Sequence, residues 1–145
     1  MRQKIKKTYD LTGGDNCFAC GPKHPFGLHL EFCFDPDIRE ISSTFHSDKL
    51  FAGFPGILHG GIQATILDEI AFWGIQACYH QIGFTYDLSV KYRKKCPTDH
   101  LLEAIGCVGD IRRRIVATDV VLRSSDTKMV FTSGTIRYYL PDLKK

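Results

Sequence analysis

The 145-residue chain has no apolar run approaching the roughly 18 residues that a membrane-spanning helix needs. Its N-terminus, Met1 to Tyr9, is basic, but no apolar stretch or small-residue cleavage site follows, so no secretory leader is expected. Internal repeats, low-complexity tracts and dividing linkers are missing as well, and the chain reads as one domain over 1–145. Charge of one dominant sign is also lacking, since a net charge of +3 is too mild to argue for nucleic acid. These absences leave a globular protein with no membrane and no nucleic-acid partner, and a cytoplasmic location is the default. At this length the chain can bury a real core.

Six cysteines lie at 17, 20, 33, 78, 96 and 107. An even count invites a disulfide framework, but without a secretion signal they read as reduced thiols. Cys17-Phe18-Ala19-Cys20 resembles half of a zinc site, with His24 and Cys33 as candidate further ligands. No second C-x-x-C follows and Cys33 falls inside a strand-like run, so no metal and no cofactor are expected. The basic residues gather in two places, Lys91 with Arg93, Lys94 and Lys95, and Arg112 with Arg113 and Arg114. Either these are solvated strand ends, or they hold an anionic ligand such as a nucleotide phosphate.

Residues 8–27 are rich in Gly, Pro, Asn and Asp and read as part of an irregular lead-in, 1–27. Residues 28–34 alternate Leu28, Leu30, Phe32 and Phe34 against polar positions, the pattern of a half-buried strand. A turn at Pro36-Asp37 and a second alternating run over 39–46 follow, then a loop over 47–58. One long helix is predicted from about Gly60 to about Tyr79. Strands come after it at about 84–95, 101–108, 113–123 and 128–140. Two strands, a helix and four strands point to an α+β fold, an antiparallel sheet wrapped around one long central helix.

At 100° per residue, Ile62, Ile66, Ile70, Trp73 and Ala77 share a stripe about 80° wide, which is the face expected against the sheet. Glu69, Gln76 and Thr65 form a polar flank. Asp68 lies nearly opposite the stripe, among Ala64, Ala71, Phe72 and Ile75. A carboxylate in an apolar arc needs a reason, because unpaired buried charge is costly. Three readings stand: an exposed arc, a buried ion pair, or a catalytic carboxylate desolvated at a subunit interface. Upstream, His59-Gly60-Gly61 opens the helix. Its first N–H groups have no intrahelical acceptor, and two glycines let a ligand approach the backbone closely. Such donors at the positive end of the helix dipole suit a polarised carbonyl or an oxyanion. The bland alternative is a tight turn.

The stretch from His59-Gly60-Gly61 to Asp68 resembles the H-G-G-x-x-x-x-x-x-[DE] signature of hotdog-fold acyl-CoA thioesterases, and is similar to the branch that includes the phenylacetate-pathway PaaI-type enzymes. Cys17-Phe18-Ala19-Cys20-Gly21-Pro22, Pro25-Phe26-Gly27-Leu28-His29-Leu30 and Gly53-Phe54-Pro55-Gly56 carry the likeness through the first half of the chain. The resemblance implies a hotdog fold and hydrolysis of an acyl-CoA to the free acid and CoA. The Gly60 amide would polarise the thioester carbonyl, Asp68 would activate water or attack directly, and Thr85 would assist. Thr85 also reads simply as a β-former at a strand start. His59 and Gly61 would shape the substrate site, Phe54 and Phe72 its aromatic walls, together with Phe51 and Trp73. The resemblance puts the CoA phosphates near Lys91, Arg93, Arg112, Arg113 and Arg114.

Gly60 and Asp68 are eight residues, about 12 Å, apart along one helix. One carbonyl cannot touch both, so the amide and the carboxylate of a site are expected from two chains with antiparallel helices. The expected assembly is a homodimer, with a further pairing into a homotetramer left open. One departure stands out: many relatives carry Asn or Gln six or seven residues before the histidine, where this chain has Gly53 and Ala52. It leaves a non-catalytic acyl-CoA-binding protein as the alternative. An enoyl-thioester hydratase or dehydratase is more remote, because the histidine spacings of those enzymes are not found here.

Overall fold

The computed structural model describes residues 1–7 and 14–141. The stretch 8–13 of the expected lead-in lies outside the described residues. A seven-stranded antiparallel sheet is built from β1 (Gln3–Lys4), β2 (Cys33–Asp35), β3 (Glu40–His46), β4 (Phe84–Tyr92), β5 (Leu101–Arg112), β6 (Ile115–Ser124) and β7 (Val130–Tyr139). Their order across the sheet is β1-β2-β3-β5-β6-β7-β4. A single long helix, α1 (Gly60–Tyr79), lies against β3, β5, β6, β7 and β4. This is the α+β architecture expected from the order of elements.

The helix bounds follow from local chemistry. His59 caps the start in an extended conformation, its Nδ1 accepting the Gly61 N–H at 2.9 Å. The end is closed by His80, which adopts the left-handed region at φ 53° and donates its N–H to the Gln76 carbonyl. Ile66, Ile70 and Trp73 of the predicted stripe are fully buried, while Ile62 and Ala77 pack at its margins. The closest crossing of helix and sheet is made of glycine. A Cβ on Gly74 would stand 2.8 Å from Val108 Cγ2 and 2.9 Å from Ile41 Cγ2, and one on Gly106 would stand 2.7 Å from Ile70 Cγ2.

Three expectations change. The run 28–34 keeps its alternation, with Leu30, Phe32 and Phe34 buried, but only Cys33–Asp35 enter the ladder. Leu28 and Leu30 donate instead to the carbonyls of Phe18 and Ala19, so the lead-in takes the bonds a neighbouring strand would have taken. The second apolar arc of α1 is not left for a partner to cover: Ala71 and Ile75 are buried within the chain itself, because the sheet curls around the helix. Finally, β5 runs on to Arg112, past its expected end at 108, and meets β6 in a tight hairpin at Arg113 and Arg114. Both residues have positive φ, 48° and 69°, the backbone of a primed turn.

Sheet order leaves β4 at one edge, bonded only to β7. Nearly every residue of it is exposed, including Phe84, Tyr86, Leu88 and Tyr92. An apolar strand with one unpaired edge is a template for another strand.

Candidate active site

Two groups of candidate residues lie along α1. At its start, the Gly60 N–H is the first of the helix and has no intrahelical acceptor, nor any among the loop and cap hydrogen bonds. The neighbouring Gly61 N–H is taken by His59, so it is not available to a ligand. His59 therefore acts on the loop: its ring accepts at Nδ1, which places the proton of the neutral ring on Nε2. A Cβ on Gly61 would sit 3.1 Å from that ring, which explains the glycine. Gly60 is different. A Cβ there would meet only the Tyr92 ring at an ordinary 3.4 Å, and its φ is not positive. Its own chain does not demand a glycine.

This helix start opens on a cleft of about 750 Å³ lined by Phe54, Ile57, His59, Gly60, Tyr92, Arg93, Lys94 and Lys95, with Gln63 and Cys96. Tyr92 donates its hydroxyl proton to the Gly60 carbonyl at 2.8 Å and so pins β4 to the helix start. The Gln63 amide is fully engaged, its Nε2 donating to Leu58 O at 2.9 Å and its Oε1 accepting from Thr132. Cys96 is buried, and burial pushes its thiol up to about 12. It is a neutral wall, not a nucleophile. The cleft thus offers one uncommitted amide, an apolar lining and three cations.

Two turns along the helix, Asp68 is half-buried and held by two hydroxyls. Thr85 Oγ1 donates to Oδ1 at 3.0 Å and lies 3.2 Å from Oδ2. Tyr138 donates to Oδ1 at 2.8 Å and lies 3.0 Å from the Asp68 main-chain oxygen. Burial and the neighbouring Asp68 charge push the Tyr138 phenol well above its ordinary range, so it stays a donor. Asp68 is therefore neither plain surface nor, among the described residues, part of an ion pair. Phe72, one turn on, stands beside Tyr138 with ring centroids 6.3 Å apart.

Most of the expected residues fall into these two groups. Gly60, His59, Gly61, Phe54 and Arg93 meet at the helix start; Asp68, Thr85 and Phe72 meet at its middle. Tyr138 was not anticipated. Its alternation in β7 marks it as inward-facing, but only the pairing of Thr85 with Tyr138 across β4 and β7 brings it over Asp68. Trp73 is no pocket wall: it is buried, stacked on Phe32 and donating to Glu69. Phe51 packs on Phe18 beneath the lead-in. Lys91 is exposed on β4 and does not line the cleft. The arginine turn is at the other end of the sheet. Ile115, just after it, pairs with Tyr139, whereas Tyr92, just before Arg93, pairs with Thr132. Seven residues of β7 separate the two ends, about 23 Å. Arg114 is bonded to the Pro141 carbonyl at 2.6 Å.

The polar flank of α1 is not solvated either. Glu69 turns into the lead-in, where Trp73 Nε1 donates to its Oε1 at 3.0 Å and Cys17 Sγ lies 3.7 Å from the same atom. Cys17, Cys20 and Glu69 are the only group of metal-ligating side chains gathered together among the described residues. The expected partners are elsewhere. His24 accepts the Phe26 N–H, and Cys33 pairs with Ser42 in the sheet.

The sequence profile of the thioesterase superfamily matches residues 55–131, which span α1 and β4 to β6. The acyl-coenzyme A thioesterase THEM4 of Rattus norvegicus is 27% identical over 142 residues, 98% of this chain and 60% of that protein. The chain thus spans less than two thirds of that relative. Among solved structures, zebrafish thioesterase superfamily member 2 superposes with a TM-score of 0.74 at 16% identity, over 93% of this chain and 99% of that one. A Streptococcus mutans protein solved with acetyl-CoA superposes with a TM-score of 0.68 at 18% identity, over 77% and 87%. At these identities the superpositions establish the fold.

Proposed function

The chain belongs to the thioesterase superfamily, and from that premise we propose that it hydrolyses an acyl-CoA thioester to the free acid and CoA at sites shared by two chains. The observation that carries the shared site is the make-up of β4. Near its first end Thr85 bonds Asp68, and at its last Tyr92 bonds Gly60. Antiparallel pairing of two β4 edges, centred between Leu88 and Ser89, would set Thr85 of one chain opposite the partner's Tyr92. The carboxylate of one chain then faces the amide cleft of the other. A single chain cannot do this, because about 12 Å of helix separates the two groups.

In this site the Gly60 N–H would stabilise the oxygen that gains charge as the thioester becomes tetrahedral. Asp68, oriented by Thr85 and Tyr138, takes the proton of the attacking water or attacks the carbonyl itself. Thiolate leaves without a strong acid. Arg93, Lys94 and Lys95 would receive CoA phosphates at the cleft; Arg112, Arg113 and Arg114, at the Asp68 end, would reach it from the partner. The acetyl-CoA held by the Streptococcus mutans neighbour supports this ligand class. The PaaI-type branch is part of the reading, supported by the C-F-x-C-G opening. So is a cytoplasmic location, in keeping with six free cysteines. Among the described residues no helix is long and apolar enough to cross a membrane.

The test is thiol release from a panel of acyl-CoAs of different acyl length, with Asp68→Asn in parallel. Turnover of at least one substrate, lost in the variant, is expected. Tight binding without turnover in the wild type would favour the acyl-CoA-binding alternative that Ala52 and Gly53 raise.

A further inference from the structure

The flank of α1 that turns away from Thr85 and Tyr138 carries a second concentration of reactive side chains, and hydrolysis uses none of it. Cys17 Sγ, Cys20 Sγ and a Glu69 carboxylate oxygen all lie within 4.8 Å of one another. We propose that Cys17, Cys20 and Glu69 bind one divalent cation of the zinc class, which ties the N-terminal lead-in to the central helix.

The turn that builds the pair is explicit. The Gly21 N–H donates to the Cys17 carbonyl at 2.8 Å, and a Cβ on Gly21 would stand 2.4 Å from both Asp15 O and Cys17 N. Only glycine lets the chain fold back this tightly, and the fold-back aims both thiols at α1. Bonds from Leu28 and Leu30 to Phe18 and Ala19 then lock the turn against the body of the protein. Opposite, Glu69 is held by the Trp73 N–H at 3.0 Å. A ligand carboxylate fixed by an outer hydrogen bond is the usual support of a metal site.

The spacing fits a tetrahedral ion. With metal–sulfur and metal–oxygen bonds of about 2.3 and 2.1 Å, a thiolate and a carboxylate oxygen on one ion stand roughly 3.6 Å apart. Cys17 Sγ and Glu69 Oε1 are 3.7 Å apart. Two thiolates would need about 3.8 Å, and the two sulfurs lie within 4.8 Å of each other. Three protein ligands leave a fourth position for water, and Cys17, half-buried beside fully buried Cys20, gives access. Two sulfur ligands select a soft tetrahedral ion over magnesium or calcium. Binding releases one proton from each thiol, and two thiolates with one carboxylate then outweigh the dication by a single negative charge. Burial raises both the Cys20 thiol and the Glu69 carboxyl above their ordinary ranges.

The experiment uses the full chain, stripped with a chelator and titrated with Co²⁺. A thiolate-to-cobalt charge-transfer band should grow to one equivalent per chain and vanish on adding Zn²⁺. Cys17→Ser should abolish it, Cys107→Ser should leave it intact, and Glu69→Gln should weaken Zn²⁺ binding by more than the roughly tenfold that loss of an outer-shell partner costs. Because Cys17→Ser can disturb folding, alkylation of the wild-type protein with mass-spectrometric mapping gives a second readout. Zn²⁺ should protect Cys17 and leave Cys107 reactive. Absence of the band, a band that survives in Cys17→Ser, or Cys17 alkylated equally with and without Zn²⁺ would each overturn the assignment. None of these readouts depends on thioester turnover.

Discussion

The start and the middle of helix α1 are built on opposite plans. At Gly60 the backbone offers a donor without an acceptor, beside an open cleft and a run of cations. At Asp68 the side chain is an acceptor already gripped by two hydroxyls, with apolar neighbours close by. One place is unsatisfied and roomy; the other is satisfied and aimed. A donor waiting for charge and a carboxylate held ready are complementary, and neither suffices alone. The difference teaches why, in the proposed mechanism, the catalytic unit is not a local cluster of this chain.

Several measurements would break or sharpen that contrast. The largest effect is expected from Asp68→Asn, which should lower kcat for thiol release about 10²–10⁴-fold. Glu69→Gln, one residue along, should lower kcat far less than Asp68→Asn; equal damage from both would erase the distinction between the flanks. Gly60→Pro comes next. His59, with ψ 134°, already has the extended conformation that precedes proline, and proline is favoured at the first helical position. The substitution removes the amide proton and keeps the helix, so activity should fall about 10²–10³-fold with an unchanged circular dichroism spectrum. Retained activity would remove the amide from the mechanism.

Mixing the two inactive variants tests the pairing itself. Reassorted dimers carry both substitutions in one site and neither in the other. Half of the dimers are mixed, so about a quarter of wild-type activity should return; no recovery would place both groups in one chain's site. The smallest effects belong to the hydroxyls. Tyr138→Phe removes a hydrogen bond to a carboxylate and should cost about tenfold in kcat. Thr85→Ala, at an exposed position where water can replace the hydroxyl, should cost less. Steady-state rates at saturating substrate rank the two, and a reversed order would mean that Thr85 does more than hold Asp68.

Much of this was readable in the chain. The helix bounds followed from the His59-Gly60-Gly61 opening and the apolar period, and the antiparallel strands from alternation. Asp68 stood out because its arc was apolar. What escaped was whatever depends on long-range register. Tyr138 reaches Asp68 only through the pairing of β4 with β7, 70 residues downstream of the helix residue it serves. Glu69 belongs to a polar flank on the wheel, which cannot show the lead-in folding over it. Residues 28–34 looked like a full strand because alternation reports burial, not the identity of the hydrogen-bond partner.

The glycine crossing of Gly74 and Gly106 has a consequence for chemistry as well as packing. Adjacent carboxylates on a helix differ by 100° in azimuth, so a roll of one residue would exchange Asp68 for Glu69 before the Thr85 and Tyr138 hydroxyls. The seam against Ile41, Val108 and Ile70 is too close for any methyl group, and so acts as a keel that sets the roll angle. Gly74→Ala should therefore harm more than stability. By displacing the helix it would draw Asp68 away from the Thr85 and Tyr138 hydroxyls, read as a fall in kcat for thiol release, a defect of aim in a protein that still folds.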